Sequence, residues 1–255
     1  MSATKISTYA GDFGCPRKFY NKYIAKIPGK PSLYFPLGNV PHKTLELFFK
    51  LKIYESQKDY SDLRKAILNL HETIWNERLK ELNAFNLGPA ELEQYYQESR
   101  EMIINWLHSF LKEKPRDLTP ATERTVFVHD LKLMCKYDRR TMGEHPNAPH
   151  IIDYKTGKSN KLWADTKLQL IIQWICHHEI TGDTEHKVGA HFLRFPDDPE
   201  LWIPTKAEID KTLKTVEHVR SKTRTTDIND YPCTCGGRCK EDFIFGNGTR
   251  HNPET

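Results

Sequence analysis

The chain has 255 residues, 38% of them hydrophobic and 28% charged, with 38 Lys and Arg against 34 Asp and Glu for a net charge of +4. That length fits one domain with a full core, and no apolar run approaches the ~18–20 residues of a membrane-spanning helix. The opening MSATKISTYA lacks the apolar stretch of a secretory signal, so a cytoplasmic protein is expected.

Ser7 is a candidate N-cap for a helix reaching about Ala25, with Gly11, Gly14 and Pro16 as breakers that would split it. A loop over Pro31–Pro36 precedes a helix from about Val40 to Lys52, which carries Leu45, Leu47, Phe48 and Leu51 near one face. Two long helices follow, from about Ser61 to Asn83 and from about Pro89 to Lys112; together they read as an α-helical insertion over 57–115. Their aromatic residues read as core packing rather than as a base-stacking surface. The pattern then changes to period two. Strands are expected over Glu123–His129, Leu131–Asp138 and Pro149–Tyr154, with a turn-rich Thr141–His150 segment making the last two a hairpin. A helix over Ala164–Glu179, a strand over Lys187–Phe195 and a helix over Thr205–Arg220 complete the pattern, and Phe245–Thr255 is a polar tail expected to fray.

The sharpest local signal is Ile151-Ile152-Asp153-Tyr154-Lys155-Thr156-Gly157. On a strand, Asp153 and Lys155 share a face, and a hairpin would bring Asp138 close to Asp153. Two carboxylates that close repel unless a cation lies between them. Two acids and a lysine are the minimum equipment for metal-assisted phosphodiester hydrolysis. Basic residues also alternate with rings, as in Arg17-Lys18 beside Phe19 and Tyr20 or Lys161 beside Trp163, a mixture that suits single-stranded nucleic acid.

Asp138 followed by Asp153-Tyr154-Lys155 resembles the acid … (D/E)-x-K core of the PD-(D/E)XK nuclease superfamily. Gly38-Asn39-Val40-Pro41-His42 is similar to the G-x-x-x-H helix start of its RecB-like exonuclease branch, and Ser7–Tyr20 to that branch's opening helix with its Cys-Pro. Glu123 and Gln169 match a glutamate before the first core strand and a glutamine on the helix after the core. Cys135 stands where the family usually has a glycine, and Gln173-Trp174 where it usually has a tyrosine.

The resemblance implies a restriction-endonuclease-like α/β core over 120–200, a central mixed sheet flanked by helices, within a single nuclease domain spanning 1–255. It implies a Mg²⁺ or Mn²⁺ site held by His42, Asp138, Asp153 and the Tyr154 carbonyl. Lys155 would orient or deprotonate the attacking water, Glu123 would ligate or brace, and Gln169 would position DNA or Lys155. It further implies a DNA exonuclease, acting on single-stranded ends, in recombination, repair or phage and CRISPR DNA processing, beside a helicase or recombination partner. A structure-specific endonuclease and a non-catalytic DNA-binding adaptor are the alternatives.

Six cysteines in an intracellular chain argue against a disulfide framework. By resemblance, Cys15, Cys233, Cys235 and Cys239 would hold a [4Fe-4S] cluster, with structural zinc as the alternative, closing segment 225–245 onto the N-terminal helix. The spacing here is C-x-C-x3-C, whereas the branch usually has C-x2-C-x5-C. Cys135 and Cys176 sit in apolar patterns and read as small core residues.

Overall fold

In this computed structural model, which describes residues 1–56, 59–112, 121–140 and 150–245, the first helix begins earlier than its sequence suggests. Ser2, not Ser7, caps α1 (Ala3–Ala10), its hydroxyl accepting the Lys5 N–H. Ser7 lies inside the helix, buried, and donates to the Thr4 carbonyl. The breakers act as expected: α1 stops before Gly11, and Pro16 opens α2 (Pro16–Phe19), where its missing N–H costs nothing. The chain then widens into one π-helical turn at Tyr20–Ile24.

Helix α3 (Tyr34–Lys50) also starts before the expected Val40, taking Pro36 into its first turn and Pro41 into its body. Short α4 (Ile53–Ser56) leads to α5 (Tyr60–Asn83), capped by Asp59, and α6 (Pro89–Lys112), both close to their expected bounds. The strands are β1 (Ala121–Val128), β2 (Leu133–Arg140), β3 (His150–Lys155), β4 (Lys187–Phe192) and β5 (Glu200–Trp202), paired in that order. Only β3 and β4 run parallel, joined through α7 (Ala164–Thr181); the other pairs are antiparallel. The edge strand β5 has three residues, too few for an alternating pattern to announce it. Helix α8 (Lys206–Lys222) follows a capping box in which Thr205 and Glu208 satisfy each other's backbone N–H. Residues 141–149 of the expected turn, and the tail beyond Phe245, lie outside the described residues.

The sheet separates two apolar layers. Ile151, Cys135, Tyr137 and Val188 pack with Ile6, Phe19, Ile172, Ile175 and Val216 from α1, α2, α7 and α8. Ile152 and Tyr154, the alternate residues of β3, pack instead with Phe48, Phe49, Ile67, Trp106 and Phe110 from α3, α5 and α6. Strand β3 is therefore covered on both faces, as its unbroken buried run requires. In the second layer, Trp106 and Phe110 stack at 4.9 Å, Phe48 meets Trp106 edge-on, and the Trp106 indole donates to the Tyr154 hydroxyl at 3.1 Å. No helix among the described residues is long and apolar enough to cross a membrane.

Candidate active site and thiol cluster

Strand register sets the acids in a row. Between the pairs Thr122↔Arg139 and Arg124↔Tyr137, Glu123 of β1 lies opposite Asp138 of β2. Beyond the pair Arg139↔Ile152, Asp138 reaches β3 beside Asp153, where its carboxylate accepts the Tyr154 N–H. The row is irregular at its centre. Leu133, Cys135 and Tyr137 enter the α7-side core, and Arg140 also reaches that side, at 3.4 Å from His177. Arg139 instead lies over the Phe49 ring in the opposite layer. Strict alternation would put Tyr137 and Arg139 on one face, so it breaks at Asp138. Glu123 across the ladder has φ +52°, a conformation that a non-glycine residue adopts only at a cost.

Helix α3 brings His42 onto this irregularity. Its Nδ1 lies 3.3 Å from Asp138 Oδ2, which also accepts the Tyr154 N–H at 2.7 Å. Ligand atoms of His42, Glu123 and Asp138 all lie within 4.8 Å of one another. Gly38, one turn before His42, permits the approach: a Cβ there would stand 3.1 Å from Thr156 Oγ1, just past β3. An open cleft of about 430 Å³ exposes the group, with Tyr34, Phe35, Lys43, Arg78 and Lys136 in its walls. Lys136 is ion-paired to Glu123.

Asp153 is buried, with Lys155 Nζ 2.6 Å from its Oδ2. The electrostatics split the two aspartates. Burial pushes the Asp138 carboxyl up, but the His42 bond and charge, the Tyr154 amide and Lys155 together hold it below the ordinary value. Asp153 is raised, because burial and the neighbouring Asp138 charge outweigh Lys155. Burial lowers His42 and Lys155, yet both end raised, since Asp138 and Asp153 favour their charged forms. Two carboxylates and an imidazole within reach of one ion, with a third carboxylate beside them, form a donor set that fits a hard dication; the imidazole favours manganese over magnesium.

Gln169 turns toward α1. Its amide donates to Ser7 Oγ at 3.2 Å. Gln173, one turn further along α7, donates to the Lys136 carbonyl at 3.0 Å and lies 3.5 Å from Asp153 Oδ1. In the sequence Gln173 stands out only as a departure from the family; its four-residue offset from Gln169 is the signal that places it on the same helix face.

The second cluster is the thiols of Cys15, Cys233, Cys235 and Cys239, all within 4.8 Å of one another. Cys15 N-caps α2, and the other three lie on a turn in which Gly236 and Gly237 take φ +63° and +83°. Burial pushes the Cys15 thiol up, but the Lys18 and Thr234 amides bring it down to about 6; Cys239 is raised by burial. Sulfur separations are 3.9 Å for Cys15–Cys239, 3.6 Å for Cys233–Cys235 and 3.7 Å for Cys233–Cys239. Four convergent thiols fit a metal.

A family model described as the PD-(D/E)XK nuclease superfamily matches residues 1–241. The crystal structure of a "Putative exonuclease" from Eubacterium rectale aligns with a TM-score of 0.58 at 10% identity, covering 98% of this chain and 90% of that chain. At that identity the likeness is one of fold. The crystal structure of SSO0001 aligns with a TM-score of 0.30 at 16% identity over 71% of this chain and 86% of that one, too low to bear on the argument. No curated protein matches significantly.

Proposed function

Since the chain belongs to the PD-(D/E)XK nuclease superfamily, we propose that it is a metal-dependent deoxyribonuclease that shortens single-stranded DNA from its ends. The observation that carries this reading is the convergence of His42, Glu123 and Asp138 beside the Asp153–Lys155 pair. A bound Mn²⁺ or Mg²⁺ would supply Lewis acidity at the scissile phosphate and a more acidic water.

The chain's own groups divide the remaining work. Asp138, held ionised by His42 and the Tyr154 amide, would be the anchoring ligand, with His42 and Glu123 able to complete its side of the site. Asp153, beside this group on β3 and paired with Lys155, would serve as a further carboxylate ligand, and a bound dication would favour its ionised form. Without an ion, Asp153 and Asp138 hold the Lys155 ammonium above its ordinary value. With a dication on those acids, Lys155 would orient the attacking water and phosphate or take a proton from that water. Gln173, held by the Lys136 carbonyl, stands 3.5 Å from the Asp153 carboxylate on the α7 side.

Single-strand preference rests on the cleft mouth. Tyr34 and Phe35 are 70% and 71% exposed, unusual for such large rings, and stand with Lys43 and Arg78 around the acids. Exposed rings beside cations stack bases and hold phosphates without reading sequence. A helicase or recombination factor that unwinds duplex DNA would deliver such a substrate.

The test is cleavage of end-labelled single strands with Mn²⁺. Asp153→Ala and Lys155→Ala are expected to lose about 100-fold or more in rate while keeping fold and DNA binding. Undiminished cleavage by both variants would overturn the proposal. A covalently closed single-stranded circle should survive; its cleavage would instead favour the endonuclease reading.

A further inference from the structure

We propose that Cys15, Cys233, Cys235 and Cys239 bind one tetrahedral zinc ion, and that this chain has no four-iron cluster at that position. The argument is dimensional. A tetrahedron of thiolates about one zinc, at Zn–S of about 2.3 Å, has sulfur–sulfur edges of about 3.8 Å. Three of the six separations here are 3.6, 3.7 and 3.9 Å. A four-iron cluster places each thiolate outside its own iron, so its cysteine sulfurs stand about 6 Å apart. All four ligand atoms here lie within 4.8 Å of one another, which leaves no room for that inorganic core.

The local backbone agrees. The run Cys235-Gly236-Gly237-Arg238-Cys239 turns back on itself through two consecutive left-handed glycines. The turn aims amides at sulfur: Gly237 N–H at Cys233 Sγ, 3.3 Å, and Cys239 N–H at Cys235 Sγ, 3.2 Å. Binding releases the thiol protons to solvent and leaves four thiolates on a dication, a net charge of −2 that such N–H donors partly offset. Zinc outcompetes ferrous iron for a site of given geometry, which decides between two ions that thiolate tetrahedra both accept.

The ion would be a clamp. It joins the N-cap of α2 to the chain beyond α8, where buried Arg17 already donates to the Tyr231 carbonyl at 2.8 Å. The α1–α2 segment in turn rests on α7 through Ser7 and Gln169.

The test needs no activity assay, so its outcome is separate from that of the nuclease reading. Full-length protein is purified anaerobically from cells supplied with both iron and zinc, and metal and acid-labile sulfide are measured. One zinc per chain, no sulfide and no visible absorption are expected. Replacing the ion with Co²⁺ should give the intense visible bands of a tetrahedral cobalt–thiolate centre. Cys235→Ser, at the half-exposed ligand, should lose most of the zinc and melt at lower temperature. Iron with sulfide, iron alone, or no metal in the wild-type protein would each overturn the proposal, whether or not the variant folds.

Discussion

Glu123 carries two loads that a single substitution can separate. Its carboxylate joins His42 and Asp138, while its backbone sits at φ +52°. Glu123→Gly removes a ligand and also relieves a conformation that costs a non-glycine residue about 1 kcal/mol or more. The expected outcome is an unchanged or raised melting temperature together with a fall in cleavage of about 10-fold or more. A melting temperature that drops with activity would show that the glutamate is a sheet brace. The Asp138–His42 bond offers a second check. In metal-free protein, the His42 imidazole should titrate above its ordinary value, and Asp138→Asn should bring that value down, read from ring-proton NMR shifts. The Asp153 and Lys155 pair was legible because a strand's period of two puts both on one face. The Glu123 strain and the Asp138 irregularity were not, because φ leaves no mark on residue type unless glycine supplies it.

Helix α3 joins the acids to the rest of the molecule. Its Gly38 lies against Thr156, its His42 against Asp138, and its Phe48 and Phe49 in the aromatic layer. Gly38→Ala would gain helix propensity of about 1 kcal/mol but place a methyl 3.1 Å from Thr156 Oγ1, easing α3 off β3. Activity should therefore fall in Gly38→Ala and return in part in the Gly38→Ala/Thr156→Ala double variant. A loss that the second substitution leaves untouched would place the glycine's role elsewhere. The long, strongly periodic helices α5 and α6 were readable nearly to their ends. The starts of α1 and α3 were not. Pro36 looks like a loop residue, yet in a first turn its lack of an N–H costs no hydrogen bond; Ser7 looks like a cap until Ser2 is seen to hold that place. Strand β5 was missed because it is held by pairing with β4, not by its own pattern.

The folded molecule should be sensitive to mild acid. His71, His177 and His191 are each lowered to about 4, mainly by burial, with nearby arginines adding to it, and burial lowers His186 as well. Between pH 6.5 and 4 the unfolded chain binds protons at these sites and the folded chain does not. Stability is thus fully present above about 6.5 and declines on acidification, by about 1.4 kcal/mol per pH unit for each unmatched proton. His42 and Asp153, both raised in the folded state, work in the opposite direction but are two groups against four. The urea midpoint should fall clearly from pH 7.5 to pH 5; a level midpoint would mean that these imidazoles are hydrated. The layered α/β plan was within reach of pattern reading, whereas which histidines lie inside it was not, since a lone imidazole in a sequence carries no sign of its depth. The meeting of Cys15 with Cys239 has a temporal consequence as well. These thiols are separated by 224 positions, so on the ribosome the first must wait, unpartnered, until nearly all the described chain has emerged. Closure there is a late event in biogenesis, and a truncated product from stalled synthesis would present Cys15 without its three partner thiols, a mark of its immaturity.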